Sequence, residues 1–443
     1  MYTILFYNRM AIGIIDLMEL QYKKVKLKNG IRVITVPMKS TAAVTSLVLV
    51  GVGSHYDTKK LAGLSHYLEH LVFKGSKKYP SALNIASILD GLGAAYNAVT
   101  TNEYTGFYIT TVSNKVGIAL DVMSDYLKNP LFKLSEVEKE RGPILEEVRM
   151  HRDMPSSDIW RLFIESLYGD QPAGRDVAGD EKSIANIKRA DVKSFFNRYY
   201  KGENIVVVFA GDVSHKKGLE LARRFFGDIS GGERQIKESV KSIDKNPSKI
   251  VGKNKNTEQT HIVLGFDGLK ETDKDFYTLW LTANILGGGM SSRLFFEVRE
   301  KRGLAYTISA HSSGGSDYGF FAIYGGINNK KTKEALHVII KELRNFKKSL
   351  VSASELKRAK DRIIGLTLLG LEISQGVAFD FGTNEIILNK IETPQEHIKI
   401  ISSIKASDIR RVANDIFKKD TMRLAFIGPH KDKKEFENIL NTI

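Results

Sequence analysis

No cysteine occurs among the 443 residues of the chain. Disulfide bonds and thiolate metal ligands are therefore excluded, although this absence does not decide the cellular compartment. The chain also lacks low-complexity tracts and any apolar run of about 18 residues, so we expect no transmembrane segment. What remains is a composition typical of a globular protein, with 42% hydrophobic and 26% charged residues. The length suggests roughly two to four domains.

Basic residues outnumber acidic ones, and the formal net charge is +15 at pH 7. Such a charge permits contact with nucleic acids or anionic membranes. The lysines are scattered through helical patterns and are not regularly interleaved with aromatic residues, which favours a solvated basic surface. We therefore predict no nucleic-acid partner.

Residues 1–20 are predicted to be an N-terminal extension. They are apolar with Arg9 in the middle, and they lack both a strong basic start and an A-x-A-like cleavage site, so the likeness to a signal peptide is weak. A start at Met18 is an alternative. We expect a cytoplasmic protein, with a periplasmic or exported location as the other possibility.

The two halves of the sequence repeat one pattern at an offset of about 213 to 219 residues. Residues 45–50 and 260–265 are both strand-like. Residues 205–211 and 424–428 both form apolar, strand-like runs that end in glycine. An internal repeat of this length predicts two homologous halves.

We predict an α+β fold in which each half is an antiparallel sheet packed with helices, the two forming a clamshell around a chamber. The first half spans 21–229 and the second half spans 250–443. The polar stretch 230–249 between them contains two adjacent glycines and a proline, which is typical of a linker.

The segment around His66-Tyr-Leu-Glu69-His70 carries the clearest chemical signal. On a helix, His66 and His70 project from one face with Glu69 beside them. Two imidazoles can then bind one Zn²⁺ while the carboxylate acts on a water molecule. An isolated histidine pair is more often the polar edge of an amphipathic helix, but H-x-x-E-H is the inverted zincin motif.

A third ligand is expected, because catalytic zinc usually has three protein ligands and one position for water. Glu140 and Glu147 lie two turns apart on one face of a predicted helix, so one can bind the metal while the other supports a ligand. Glu146 points about 100° away from Glu147 and is the weaker candidate. Pro143 removes a backbone donor inside this helix, which leaves a kink open as an alternative.

With these residues in place, the sequence resembles the pitrilysin, insulysin and mitochondrial processing peptidase family of zinc metallopeptidases, and most closely its bacterial processing-peptidase-like branch. The family pattern is H-x-x-E-H, 76 residues and a glutamate, and 76 residues separate His70 from Glu147. The resemblance implies that His66, His70 and Glu147 bind one Zn²⁺ per chain. It further implies that Glu69 is the catalytic base and that Glu140 orients a ligand.

The family has a second signature in its C-terminal half, an arginine followed seven residues later by a tyrosine. Arg299 and Tyr306 have this spacing. The resemblance implies that both are catalytic, holding the substrate carbonyl and stabilising the oxyanion. The glycines at 287–289 lack the forms of a phosphate-binding loop, so nucleotide binding is not expected.

The segment 96–105 is similar to the family's edge strand, on which a substrate peptide is bound as an added β-strand. The resemblance implies that Asn97 and Ala98 make the main-chain contacts to that peptide. Taken alone, the segment is better interpreted as an ordinary strand and turn.

The second half keeps the pattern of the first without its metal ligands. Ala359 and Leu366 align with Glu140 and Glu147, and no histidine occurs in 277–287, which aligns with the motif. We therefore predict a zinc-dependent endopeptidase of unfolded peptides or presequence-like segments, working as a homodimer. The alternatives are a heterodimer with an inactive relative, and a non-catalytic member serving as a scaffold or substrate-binding subunit.

Overall fold

The computed structural model describes residues 20–241 and 250–441. Its strands form two sheets. The first sheet contains β1 (Lys23–Lys26), β2 (Arg32–Pro37), β3 (Ala43–Val50), β4 (Ala95–Thr100), β5 (Thr105–Val112) and β6 (Ile205–Gly211). The second contains β7 (Ile250–Asn254), β8 (Gln259–Asp267), β9 (Ala305–Gly314), β10 (Gly319–Asn328) and β11 (Arg423–Gly428).

The two sheets have the same strand order, apart from the additional edge strand β1 in the first. The first runs β1-β2-β6-β3-β5-β4 and the second β7-β11-β8-β10-β9, so that β4 and β9 are equivalent edge strands. Neighbouring strands are antiparallel except for one parallel pair in each sheet, β2 with β6 and β7 with β11. The predicted α+β fold with two homologous halves is confirmed.

Helices pack on both sheets. Those of the first half are α1 (Leu64–Val72), α2 (Ala82–Gly91), α3 (Val116–Lys128), α4 (Leu134–Asp153), α5 (Pro155–Tyr168), α6 (Glu181–Asn186), α7 (Arg189–Tyr199) and α8 (His215–Phe226). Those of the second are α9 (Phe276–Gly287), α10 (Thr332–Lys348), α11 (Ala353–Gly370), α12 (Ser374–Thr383), α13 (Pro394–Ser403), α14 (Ala406–Ile416) and α15 (Lys434–Leu440). Among the described residues no single helix is long and apolar enough to cross a membrane. One pair, Ala353–Gly370 with Ser374–Leu388, meets that test by length and composition alone, with a bend of 110°.

The predicted domain boundaries remain predictions. Residues 230–241 form neither helix nor strand, and β7 begins at Ile250. The rest of the predicted linker, 242–249, lies outside the described residues, as does the predicted N-terminal extension apart from Leu20.

Each sheet is covered on both faces, which explains why its central strands are buried along most of their length. β6, with the sequence IVVVFAG, is buried at every position, and β3 at all but its first. One face of the first sheet packs on α1, α3, α7 and α8. The matching face of the second sheet packs on α9, α10, α11, α14 and α15.

The other face of each sheet is covered by a helix from the opposite half. α5 packs on β8 and β11, where Phe163 joins a buried cluster with Val263 and Ala425. A Cβ on Gly265 would lie 2.4 Å from the Phe163 ring, so glycine leaves room for it. α12, which follows α11 as α5 follows α4, packs in return on β3 and β6 of the first sheet. The halves thus exchange helices.

The segment 230–241 is bound to both halves. The Lys237 side chain is 10% exposed and pairs with Glu103 at 3.4 Å and with Asp317. Glu103 lies in the turn between β4 and β5, and its carboxylate accepts hydrogen bonds from the backbone N–H (2.8 Å) and hydroxyl of Ser316. Ser316 lies in the turn between β9 and β10. Buried charges therefore join equivalent turns of the two halves.

Replacing Lys237 by methionine removes the cation and leaves both carboxylates in place. We expect the free energy of unfolding to fall by about 2–3 kcal/mol, because a largely buried carboxylate without its partner is costly. Urea unfolding measures the change. The control is Lys182→Met, at an exposed lysine of α6, for which we expect less than about 0.5 kcal/mol. Equal unfolding midpoints for the two variants would contradict this role.

Candidate metal centre

The start of helix α1 is fixed by Asp57. Its carboxylate accepts hydrogen bonds from the backbone N–H groups of Gly63 (3.0 Å) and Ser65 (3.2 Å) and from the Ser65 hydroxyl (2.7 Å). Gly63 has a φ of +88°, and a Cβ there would lie 2.5 Å from a backbone carbonyl oxygen. Only glycine fits this position. The two histidines of the motif follow one turn apart on the same helix face.

Two imidazoles from α1 and one carboxylate from α4 form a compact triangle. His66 Nε2 lies 3.3 Å from His70 Nε2 and 3.6 Å from Glu147 Oε1. His70 Nε2 lies 3.7 Å from Glu147 Oε2. Two ligands of a tetrahedral zinc ion, with bonds of roughly 2.0–2.1 Å, are about 3.4 Å apart. Within 20–241 and 250–441, this is the only trio of acidic and histidine side chains compact enough to hold an ion.

The protonation of His66 suits a metal ligand. Burial, with a further contribution from the neighbouring His70, lowers the pKa of His66 to about 4. The ring is therefore neutral near pH 7, and neutral imidazole is the form that binds zinc. A donor set of two imidazoles and one carboxylate is common for zinc that retains an open position. The residues present therefore fit this metal.

Glu140 holds the second imidazole in place. Its Oε1 lies 3.0 Å from His70 Nδ1, and its Oε2 lies 2.7 Å from Lys74 Nζ. Burial alone would raise the pKa of Glu140, but the hydrogen bonds from His70 and Lys74 hold it below its ordinary value. A carboxylate at Nδ1 directs Nε2 toward the metal position. Glu146, by contrast, is exposed and pairs with Arg149 at 2.7 Å.

Glu69 lies beside the triangle without belonging to it. Its Oε2 accepts a hydrogen bond from the hydroxyl of Thr100, at the end of β4. Burial raises the pKa of Glu69, and the bond from Thr100 offsets part of that rise. Since only Oε2 is engaged by Thr100, Oε1 remains available to a molecule in the adjoining cavity.

A cavity of about 650 Å³ adjoins these side chains. It lies between β4, α4, α5 and the loop 173–178 of the first half and the ends of β9 and β10 of the second. His66, Glu69 and Glu147 contribute to one part of its lining. The aromatic and aliphatic lining residues are Trp160, Ile164, Tyr168, Tyr318 and Phe320. The cavity thus combines a polar site with an apolar wall to which both halves contribute.

Strand β4 is the open edge of the first sheet. Ala98, Val99 and Thr100 line the cavity, whereas Asn97 does not. The Asn97 Oδ1 instead accepts a hydrogen bond of 2.9 Å from the backbone N–H of Ala98. The peptide contacts of Asn97 and Ala98 remain a prediction.

Arg299 and Tyr306 lie together at the surface of the second half. Tyr306 is 73% exposed, and its ring centre is 5.3 Å from the Arg299 guanidinium carbon. Tyr306 is the extra residue of a β-bulge, because Ala305 and Thr307 pair with consecutive residues of β10, and such a bulge redirects the side chain. Neither residue lines the cavity beside the predicted ligands. Their catalytic roles remain predictions.

Four residues at this site carry little or no signal in the sequence. Asp57 bonds to the start of α1 and Thr100 bonds to Glu69, each from a position that no spacing rule connects to the motif. Lys74, which pairs with Glu140, lies four residues after His70. His151 lies four residues after Glu147 on the same helix, a spacing that could have indicated it. Its Nε2 is 3.9 Å from Glu147 Oε1.

Replacing Asp57 by alanine leaves the buried donors of Gly63 and Ser65 without an acceptor. We expect the free energy of unfolding to fall by about 1–3 kcal/mol. Zinc affinity should fall as well, because the start of α1 positions the first histidine. Thermal unfolding and chelator competition measure the two effects. Asp415→Ala, at an exposed aspartate of α14, is the control, and zinc affinity as strong as in that variant would contradict the anchoring role.

Two family profiles match the chain. Insulinase (peptidase family M16) matches residues 32–181, and the peptidase M16 inactive domain matches residues 186–363. The first match contains the three predicted ligands, and the second lies beyond them. The division agrees with a repeat in which the second half lacks the metal set.

Whole-chain comparisons point to the same family. An uncharacterized zinc protease of Streptomyces coelicolor is 34% identical over 93% of this chain and 90% of that protein. Another, from Rickettsia felis, is 36% identical over 91% of this chain and 97% of that protein. The crystal structure of a protease from Helicobacter pylori superposes with a TM-score of 0.85 at 27% identity, covering 93% of this chain and 100% of that one. The chain therefore belongs to the insulinase, or M16, family of peptidases, in which these relatives are named zinc proteases.

Proposed function

We propose that the chain is a zinc-dependent endopeptidase acting on unfolded peptides. The observation that supports this is the triangle of His66, His70 and Glu147, with Glu69 beside it in an open cavity. Those three side chains would hold one ion per chain, and Glu140 would orient His70. Zinc in such a site polarises the scissile carbonyl and makes a water molecule more acidic.

Glu69 is the base in this proposal. Thr100 holds Oε2, so Oε1 takes a proton from the attacking water and passes it to the nitrogen of the leaving amine. Because Glu69 is partly buried, bulk water competes less with the attacking water for its carboxylate. Because Glu69 lies on α1 one residue before His70, the helix holds it beside the metal ligands.

The proposed substrate is a peptide in extended conformation. It would add a strand to the open edge of β4, with main-chain hydrogen bonds to Asn97 and Ala98 that tolerate many sequences. The wall formed by Trp160, Ile164 and Phe320 suits an apolar side chain near the scissile bond. Substrates that cannot extend along β4 should be resistant.

Glu69→Gln removes the base and keeps the shape of the side chain. We expect kcat to fall by about 10²–10⁴-fold, while zinc content stays near one ion per chain. Cleavage of a quenched fluorescent peptide and elemental analysis measure the two quantities. Glu146→Gln is the matched control at an exposed glutamate of α4, and it should behave as the wild type. Equal turnover in the Glu69 and Glu146 variants would refute the mechanism.

A non-catalytic scaffold or substrate-binding subunit is the second candidate. One matching profile is named an inactive domain, but it covers 186–363, whereas the complete ligand set lies in the other match. The scaffold would hold no zinc and cleave nothing. Zinc content and chelator-sensitive cleavage of the wild-type protein therefore separate the two candidates.

We also propose that the enzyme is a homodimer in which each copy completes the site of the other. Tyr306 is exposed, Arg299 is half-buried, and neither lines the cavity of its own chain. If they stabilise the oxyanion, as their family signature implies, a second copy has to bring them to the site. A symmetric dimer would supply both pairs at once.

Co-expression of Glu69→Gln with Arg299→Ala tests this arrangement. Each variant alone should be nearly inactive. In the mixed dimer, one site combines an intact metal half with an intact Arg299, so about a quarter of wild-type activity should return at equal expression. Differently tagged copies allow the mixed dimer to be isolated and its mass measured. No recovery in a confirmed mixed dimer would show that Arg299 does not act across the interface.

A further inference from the structure

His151 occupies a position at the cavity that the proposed mechanism does not use. It lies on the last turn of α4, and its side chain is 48% exposed. It lines the cavity together with His66 and Glu147. Its Nδ1 is 3.0 Å from the hydroxyl oxygen of Ser157, and its Nε2 is 3.9 Å from Glu147 Oε1. The ring is thus oriented from one side and faces the metal site with the other.

The neighbours of the ring indicate which nitrogen carries its proton. The carboxylate of Glu147 favours an N–H on Nε2, the nitrogen that faces it. The Ser157 hydroxyl can then donate to Nδ1, which has no proton in that tautomer. In this tautomer His151 presents an Nε2–H donor to the cavity beside the metal position.

Several other donors on the cavity wall are engaged. Arg161 bonds to the carboxylates of Asp158 and Glu165. Arg175 donates to two backbone carbonyl oxygens, and the Tyr168 hydroxyl donates to another at 2.8 Å. His151 Nε2 lies 3.9 Å from Glu147 Oε1, which is too far for a hydrogen bond. An N–H on this nitrogen is therefore a donor beside the triangle that can turn to a substrate.

We propose that His151 is a further catalytic residue, whose Nε2–H donates a hydrogen bond to the carbonyl oxygen of the scissile peptide bond as negative charge develops on it. This rests on the proposed peptidase function. No bond to His151 forms or breaks, and Nε2 keeps its proton throughout. The donor belongs to the same chain as the metal ligands, so it acts whether or not a second copy contributes Arg299 and Tyr306.

His151→Ala and His151→Gln test the proposal, because glutamine retains an N–H near the position of Nε2. The wild type is first shown to hold zinc and to cleave a quenched fluorescent peptide in a chelator-sensitive manner. We expect His151→Ala to lower kcat by about 100-fold with KM changed by less than about threefold. His151→Gln should recover most of that loss. His337→Ala, at an exposed histidine of α10, is the control and should leave both constants unchanged.

Two binding measurements separate contact with substrate from support of the metal. Zinc affinity, measured by chelator competition, should be the same in His151→Ala as in the wild type. A phosphinic peptide that mimics the tetrahedral state should bind about 100-fold more weakly to His151→Ala. The uncleaved parent peptide, measured in the Glu69→Gln background, should bind equally with and without the imidazole.

Three results would overturn the proposal. Loss of zinc from His151→Ala would mean that the residue acts by positioning Glu147. Unchanged kcat in a zinc-replete His151→Ala variant would mean that it has no part in catalysis, while the peptidase function would still stand. A wild-type protein that neither holds zinc nor cleaves peptides would refute the proposed peptidase function, and the proposed role of His151 with it.

Discussion

The position of Glu147 depends on the burial of α5 against the sheet of the opposite half. α5 begins two residues after α4 ends, so its packing fixes the end of α4. Phe163 and Ile159 are fully buried there, and each such side chain contributes about 1.5–3 kcal/mol. At the other end, the Tyr67 hydroxyl of α1 donates to the Val137 carbonyl of α4. The helix that carries Glu147 is thus held at both ends, by its own half and by the other.

This arrangement explains why a half without metal ligands is needed at all. α12 covers the face of the first sheet that would otherwise expose the apolar strands β3 and β6. Ala359 and Leu366 replace the two carboxylates of the first half without disturbing α11, since a helix tolerates either residue type. The chemistry could be lost from the second half because it resides in a few side chains. The exchange of helices could not be lost in the same way, because each sheet depends on a helix from the other half to cover one of its faces.

Much of the site could be predicted because helical periodicity is a local property. The spacing of His66, His70, Glu140 and Glu147 determines which side chains share a face, and the structure places them accordingly. The exchange of α5 and α12 could not be predicted, since amphipathicity shows which face of a helix is apolar but not which sheet it covers. The sequence also did not decide whether Pro143 kinks its helix. α4 runs through it without interruption, and because Pro143, Gly142 and Lys139 are all exposed, water can bond to the carbonyl that loses its N–H partner.

Contacts from both halves also fix the end of the edge strand where a peptide would bind. The turn after β4 is held on one side by backbone hydrogen bonds from Ser54 (3.0 Å) and His55 (2.9 Å). On the other side, Glu103 in that turn is held by Lys237 and by the second half. Thr100, one residue before the turn, is therefore kept where its hydroxyl reaches Glu69. The outer edge of β4 stays open while its end is fixed from both halves, so an incoming strand meets a rigid template. Little of its binding energy is then spent on ordering the enzyme.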